Sequence, residues 1–174
     1  MSAKSPFENR PPEAPHEASD GGFVVPCTLH VNGEAVCVEV ERSLPLDALL
    51  RRTLALKSVL HGCERGTCGS CRVLVDGEVL SACTRSASSL PPGARVETAE
   101  SLQDNERMRT VLRAFVRERC TRCALCLSGL AAMAVHLDRE GKTFDETAID
   151  ALLEGAHCAC TGRGSLRRAL LTRE

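Results

Sequence analysis

Four cysteines at a fixed spacing restrict this chain more than any other feature. Cys63, Cys68, Cys71 and Cys83 form the run C-x4-C-x2-C-x11-C inside GCERGTCGSCRVLVDGEVLSAC. That spacing suits a two-iron, two-sulfide cluster, which takes four thiolates, better than structural zinc, which typically takes two well-separated C-x2-4-C knuckles. The bridging sulfides also need hydrogen-bond donors, and these come mostly from backbone N–H groups. Gly62, Gly66 and Gly69 suit that task, because a loop without Cβ atoms wraps closely and takes positive φ. Arg65 brings a positive charge to the same loop, where it either raises the cluster potential or is simply solvated.

A second quartet, Cys123, Cys126, Cys158 and Cys160, reads C-x2-C-x31-C-x-C, so eight of the eleven cysteines fall into two ligand sets. Alone, this second pattern would hold zinc as readily as iron. Cys120 extends it to C-x2-C-x2-C, so a shifted register would make Cys120 a ligand in place of Cys126. His157 adjoins Cys158, but a Rieske-type centre needs two histidines and no second one is suitably placed. It reads as a surface group or one that supports a ligand.

Composition removes several other classes. The formal charge is −1, with both signs spread along the chain, and there is no Trp, no Tyr and only four Phe. Neither a phosphate-binding surface nor a base-stacking platform follows from that. Residues 1–22 are polar and rich in Pro and Glu, without an apolar signal segment, and are expected to be a disordered extension. No window supplies the roughly 20 apolar residues of a membrane span. The expectation is a cytoplasmic protein whose thiols serve metals rather than disulfides.

The pattern along the chain sorts into two parts, an α+β unit over 23–102 and a helical unit over 103–174. Asn32-Gly33 sits between alternating apolar runs and predicts a hairpin in which Cys27 faces Val38 and Cys37 faces Thr28. The two thiols then lie on opposite sheet faces, Cys27 in the core with Leu29, Val36 and Val38. Pro45 opens a short helix carrying Leu46, Leu49, Leu50 and Leu54. Asp76-Gly77 predicts a second hairpin that pairs Val75 with Glu78 and sets Cys71 opposite Ala82, beside Cys83. The strand-like ARVETAE ends the first unit near Leu102.

Beyond it, Met108, Val111, Leu112, Phe115 and Val116 form a helical stripe, and Leu130, Met133, Ala134 and Leu137 another. Thr143 to Glu146 offers a capping box before Ile149, Leu152 and Leu153, and Gly155 a C-cap. A last helix from Ser165 uses Leu166, Ala169 and Leu170, which makes a four-helix antiparallel bundle with both cysteine pairs at helix junctions. Arg109, Arg113 and Arg117 recur along one helix, either as a solvated face or as a dock for an acidic partner. No general base, nucleophile or nucleotide loop is visible.

With both quartets in hand, the chain resembles the small iron-sulfur subunit of the molybdenum hydroxylases, the xanthine oxidase, aldehyde oxidoreductase and carbon monoxide dehydrogenase family. GCERGTCGSC with Cys83, then RCALCLSG and CACTGRGSL, match the family's motifs in order over about residues 23–172. The resemblance implies an N-terminal β-grasp, plant-type ferredoxin-like domain and a C-terminal four-helix domain, each with one 2Fe-2S cluster. It further implies a large partner subunit holding molybdopterin and a medium one holding FAD, with electrons passing from the first towards the second. Arg122 stands where the family usually has Gln beside the pterin, and an arginine donates hydrogen bonds but accepts none. Leu127-Ser128, Ala159 and Arg163 also depart from the usual Thr-Pro, Arg and Tyr. The other readings of the residues are a stand-alone ferredoxin-like carrier or redox sensor, and a zinc-stabilised interaction module.

Overall fold

A computed structural model describes residues 23–141, 145–154 and 160–171. Strand β1 (Val24–Val31) and strand β2 (Glu34–Glu41) form the first hairpin, and its turn residues Asn32 and Gly33 take φ of 53° and 88°. Two positive φ values define the turn whose twist matches that of the strands it joins. Cys27 pairs with Val38 and Thr28 with Cys37, as expected. Cys27 is buried, Cys37 is exposed, and they form no disulfide.

The predicted leucine helix is present but wound more widely than its spacing implied. Helix α1 (Leu46–Ala48) runs on into a π-helical turn over Leu49–Thr53, where Leu54 N–H donates to Leu49 O at 3.1 Å. Leu46, Leu49 and Leu50 are all fully buried on the sheet. Strands β3 (Arg72–Val75) and β4 (Glu78–Ser81) form the second hairpin, again through two positive-φ residues, Asp76 and Gly77. Val75 pairs with Glu78, as the turn position predicted. Strand β5 (Ala94–Glu97) completes a sheet of order β2-β1-β5-β3-β4, in which β1 and β5 are parallel and every other pair is antiparallel. The N-terminal part is thus α+β and ferredoxin-like.

Successive residues of a strand face opposite sides, and β3 is buried on both. Val73 joins the core beneath α1, whereas Leu74 joins the core built by the helices. Those helices are α2 (Ala99–Leu102), α3 (Glu106–Arg117), α4 (Leu127–Arg139), α5 (Glu146–Glu154) and α6 (Arg163–Leu171). Helix α3 packs on α4 and α6, α5 packs on α6, and α4 lies against β3 and β4. Asn105 caps α3 by accepting the Met108 N–H at 3.1 Å. Asp145 does the same for α5, accepting from Ala148 at 2.8 Å, while Thr143 of the expected capping box and Gly155 lie outside the described residues.

Two helical stripes differ from expectation. On α3, Met108, Val111 and Phe115 are buried together with Thr110 and Ala114, but Leu112 and Val116 are exposed, at 37% and 66%. The buried arc is turned towards the side where α4 and α6 pack. On α4, burial is not confined to one face, because every residue from Leu130 to Leu137 is buried. A helix covered by a sheet on one side and by helices on the other has no solvent face to mark with polar residues.

Candidate iron-sulfur centres

The first cysteine run lies on a loop fastened at both ends. Leu56 and Val59 anchor its start in the core, and Leu60 N–H donates to Ser70 O at 3.1 Å. The fully buried Ser70 hydroxyl donates to Leu60 O at 3.1 Å and lies 2.9 Å from Cys68 Sγ. Outside the loop, His61 Nδ1 meets Asp47 Oδ2 at 2.6 Å and Nε2 meets Glu64 Oε1 at 3.0 Å. The Asp47 contact, then the Glu64 contact, hold the His61 imidazole above its usual value. Asp47 comes from α1 and is only 2% exposed, so a buried carboxylate ties the helix to the residue before Gly62.

Inside the loop, Glu64, Gly66 and Gly69 take φ of 56°, 72° and 74°, which turns backbone N–H groups inward. Thr67 and Cys68 N–H groups donate to Cys63 Sγ at 3.2 and 3.3 Å. Burial opposes ionisation of Cys63, but hydrogen bonds from Thr67, Arg65 and Cys68 outweigh it and lower the thiol to about 6. Gly62 acts differently from Gly66 and Gly69, through close approach and not through φ. A Cβ there would lie 2.7 Å from Ser70 Oγ and 2.8 Å from Cys68 Sγ.

Cys71 and Cys83 bracket the second hairpin as its register requires. Ala82 N–H donates to Cys71 O at 3.2 Å, and Cys83 N–H approaches Cys71 Sγ at 3.5 Å. Burial pushes the Cys71 thiol up to about 12, against the hydrogen bond from the Cys83 N–H, which favours the thiolate. The four thiols therefore fall into two interacting pairs, Cys63 with Cys68 and Cys71 with Cys83. A 2Fe-2S unit binds two thiolates at each of two irons and needs N–H donors around its sulfur atoms. The paired thiols and inward amides fit that group.

The second site is built at helix junctions. After α3 the chain reverses through Arg119 and Ala124, both at positive φ, and Cys120 N–H donates to Phe115 O at 2.7 Å. Cys120 is 1% exposed, and its Sγ is directed at Glu118 O, 3.7 Å away. Cys123 is exposed, while Cys126 is buried at the N-cap of α4. Thr161 Oγ1 donates to Cys120 O at 3.2 Å, which seats the residue after Cys160 against this turn. Cys158 and His157 lie outside the described residues. Arg122 is exposed, and Arg163 donates to Asp150 O at 3.0 Å.

The two cysteine loops touch. A Cβ on Gly62 would be 3.7 Å from Leu125 Cδ2, and one on Gly129 would be 1.9 Å from Gly69 O. Ser128 Oγ donates to Ser58 O at 2.9 Å, and the Arg72 guanidinium donates to Met133 Sδ. Spacing between cysteines carries no trace of this contact. Only Gly129, in phase after Cys126, signals it in the sequence.

A 2Fe-2S-type site in a ferredoxin-like unit, with a second group of cysteines around the start of α4, defines an iron-sulfur protein. A model of the 2Fe-2S iron-sulfur cluster binding domain matches residues 29–106, and one of the [2Fe-2S] binding domain matches residues 98–171. The chain is 37% identical over 136 residues to the 6-hydroxypseudooxynicotine dehydrogenase complex subunit beta of Paenarthrobacter nicotinovorans, covering 78% of this chain and 84% of that one. It is 30% identical over 135 residues to the nicotinate dehydrogenase small FeS subunit of Eubacterium barkeri, covering 77% and 85%. Among solved structures, quinoline 2-oxidoreductase from Pseudomonas putida superposes with a TM-score of 0.76 at 27% identity, over 86% of this chain and 92% of that one. The chain belongs to the small iron-sulfur subunits of the molybdenum hydroxylase family, and its cofactors are two 2Fe-2S clusters.

Proposed function

We propose that this chain is the electron-transfer subunit of a molybdenum-hydroxylase-type oxidoreductase, and that substrate is converted on another chain. When bound, each 2Fe-2S cluster takes up and releases one electron. Cys63, Cys68, Cys71 and Cys83 would hold the first cluster, with amides around Gly62, Gly66 and Gly69 shielding it. Cys123, Cys126, Cys158 and Cys160 would hold the second. The observation that carries the relay is the contact of the two loops, with Leu125 against Gly62 and Gly129 against Gly69. It leaves no solvent layer between the loops at those points.

Relatives that are subunits of multi-chain dehydrogenases support larger partner subunits, which in this reading are a large one with molybdopterin and a medium one with FAD. Electrons would then enter at the helical site and leave from the first loop. Exposed Arg122 would meet the pterin side as a donor only. The same reading keeps a β-grasp first domain and a four-helix bundle second domain, divided at 102/103, with Leu74 and Leu102 reaching from the first into the helical core, and a cytoplasmic location. Among the described residues no helix is long and apolar enough to cross a membrane. A stand-alone carrier is not favoured, because the relatives are parts of complexes.

Metal analysis and electron paramagnetic resonance test this reading. Two clusters require about four irons and four sulfides per chain and two reducible signals. Cys83→Ser should abolish only the first signal and Cys158→Ser only the second. Loss of both signals from either change, or zinc in place of iron, would refute the assignment, and a chain that never co-purifies with a large subunit would refute the complex.

A further inference from the structure

The two cysteine loops are joined by a chain of hydrogen bonds as well as by packing. Ser58 lies five residues ahead of Cys63, and the carbonyls on either side of it, of Lys57 and Val59, accept from Arg51 Nη1 at 3.4 and 3.3 Å. The Ser58 N–H donates to Glu100 Oε1 at 2.7 Å, and the Ser58 hydroxyl donates to Glu100 Oε2. Glu100, on α2, is held in turn by the hydroxyl of Thr98, which donates to Oε2 at 2.5 Å. Thr98 is fully buried, donates its N–H to Asn32 Oδ1 at 2.9 Å and accepts from Asn32 Nδ2 at 2.9 Å. A carboxylate that grips both the N–H and the O–H of one residue fixes how that residue is turned, and bonds to a charged acceptor are the strong ones. The Ser58 carbonyl then accepts from Ser128 Oγ at 2.9 Å. Ser128 stands in the first turn of α4, two residues beyond Cys126.

We propose that Glu100, Ser58 and Ser128 are positioning residues for electron exchange between the two clusters, Glu100 setting the Ser58 peptide and the Ser58 carbonyl holding the start of α4 against the first loop. This rests on the two-cluster reading of the preceding section. In the exchange one electron leaves the reduced cluster at the helical site and enters the oxidised cluster of the first loop. No covalent bond forms or breaks, and no proton is required. Proximity governs such a step, and a misplacement of about 1 Å can cost up to about a hundredfold in rate. Groups that hold a site to that precision act through hydrogen bonds behind the ligands, and Ser128 is placed to do so for Cys126.

The test delivers one electron per chain from a photoreductant to the full-length, cluster-loaded protein and follows its redistribution between the two clusters by freeze-quench electron paramagnetic resonance. Iron and sulfide near four of each per wild-type chain, with two signals, establish the two-cluster reading before any variant is compared. Ser128→Ala should slow the redistribution by about fivefold, the factor that one net hydrogen bond carries, with both midpoint potentials unchanged. Ser128→Thr, which keeps the hydroxyl, should restore the rate. Glu100→Gln, which turns an amide N–H towards the Ser58 and Thr98 hydroxyls, should slow it in the same sense. The double variant should be no slower than the slower single one, because both changes break one chain of bonds. Should Ser128→Ala fail to load both clusters, Glu100→Gln, which lies outside both cysteine runs, carries the comparison. An unchanged rate in the loaded variants, a rate in Ser128→Thr as slow as in Ser128→Ala, or additive slowing in the double variant would overturn the proposal.

Discussion

Gly129 is the residue on which the junction of sheet and helices turns. A methyl group there would sit 1.9 Å from the backbone oxygen of Gly69, and backbone cannot step aside as a flexible side chain does. Gly129→Ala should therefore destabilise the chain by about 1–3 kcal/mol, the usual range for overpacking, and broaden the first cluster's resonance signal. Glu100 works through charge. Although burial opposes its ionisation, donors from Ser58 and Thr98 hold its carboxyl below the usual value. The Ser58 N–H donates to Oε1 at 2.7 Å, and the Thr98 hydroxyl to Oε2 at 2.5 Å. A depressed folded-state pKa gives stability that is full above the unfolded value, about 4.3, and is lost as pH falls through the folded one. Melting curves of wild type and Glu100→Gln should thus be well separated at pH 7 and converge towards pH 3. At this scale the cysteines were legible because ligand chemistry fixes their spacing. Asp47, Arg72 and Glu100 were not, since their partners lie 14, 61 and 42 positions away in sequence.

Among the elements, the hairpins were readable to the register and the helices only to their existence. A two-residue turn at Asn32-Gly33 or Asp76-Gly77 fixes every pair that follows, so Cys27 and Cys71 could be placed by counting. A helical stripe leaves open how wide an arc its neighbours cover. Leu112 and Val116 extend the stripe of α3 beyond its covered arc, and the stripe read on α4 captures only part of its buried surface, because every residue from Leu130 to Leu137 is covered. Val116→Ser should accordingly shift the unfolding free energy of the isolated chain by less than about 0.5 kcal/mol, as surface changes do. Phe115→Ala, one position away and fully buried, should cost about 3–5 kcal/mol. Urea unfolding of the two variants checks the contrast. The wide π-helical turn after α1 has no sequence mark, since Leu49 and Leu50 suit either winding.

For the molecule as a whole, metal and packing act together. Cluster binding that exists only in the folded state adds its free energy to folding, so removing iron with a chelator should lower the melting temperature and raise protease sensitivity in the Gly62–Cys71 loop. Retention of the full melting temperature in the apo chain would contradict this. The sequence placed both cluster sites on one chain but kept silent on how they are held together. That work falls to β3, whose Leu74 belongs to the helical core while Val73 belongs to the other. For protein engineering the consequence is practical. Trimming after residue 102 to obtain a minimal one-cluster electron carrier would strip α4 from Leu74 and from the Gly69 carbonyl at once. Such a fragment is expected to be recovered insoluble, so a useful small carrier has to be redesigned at that face before it is cut.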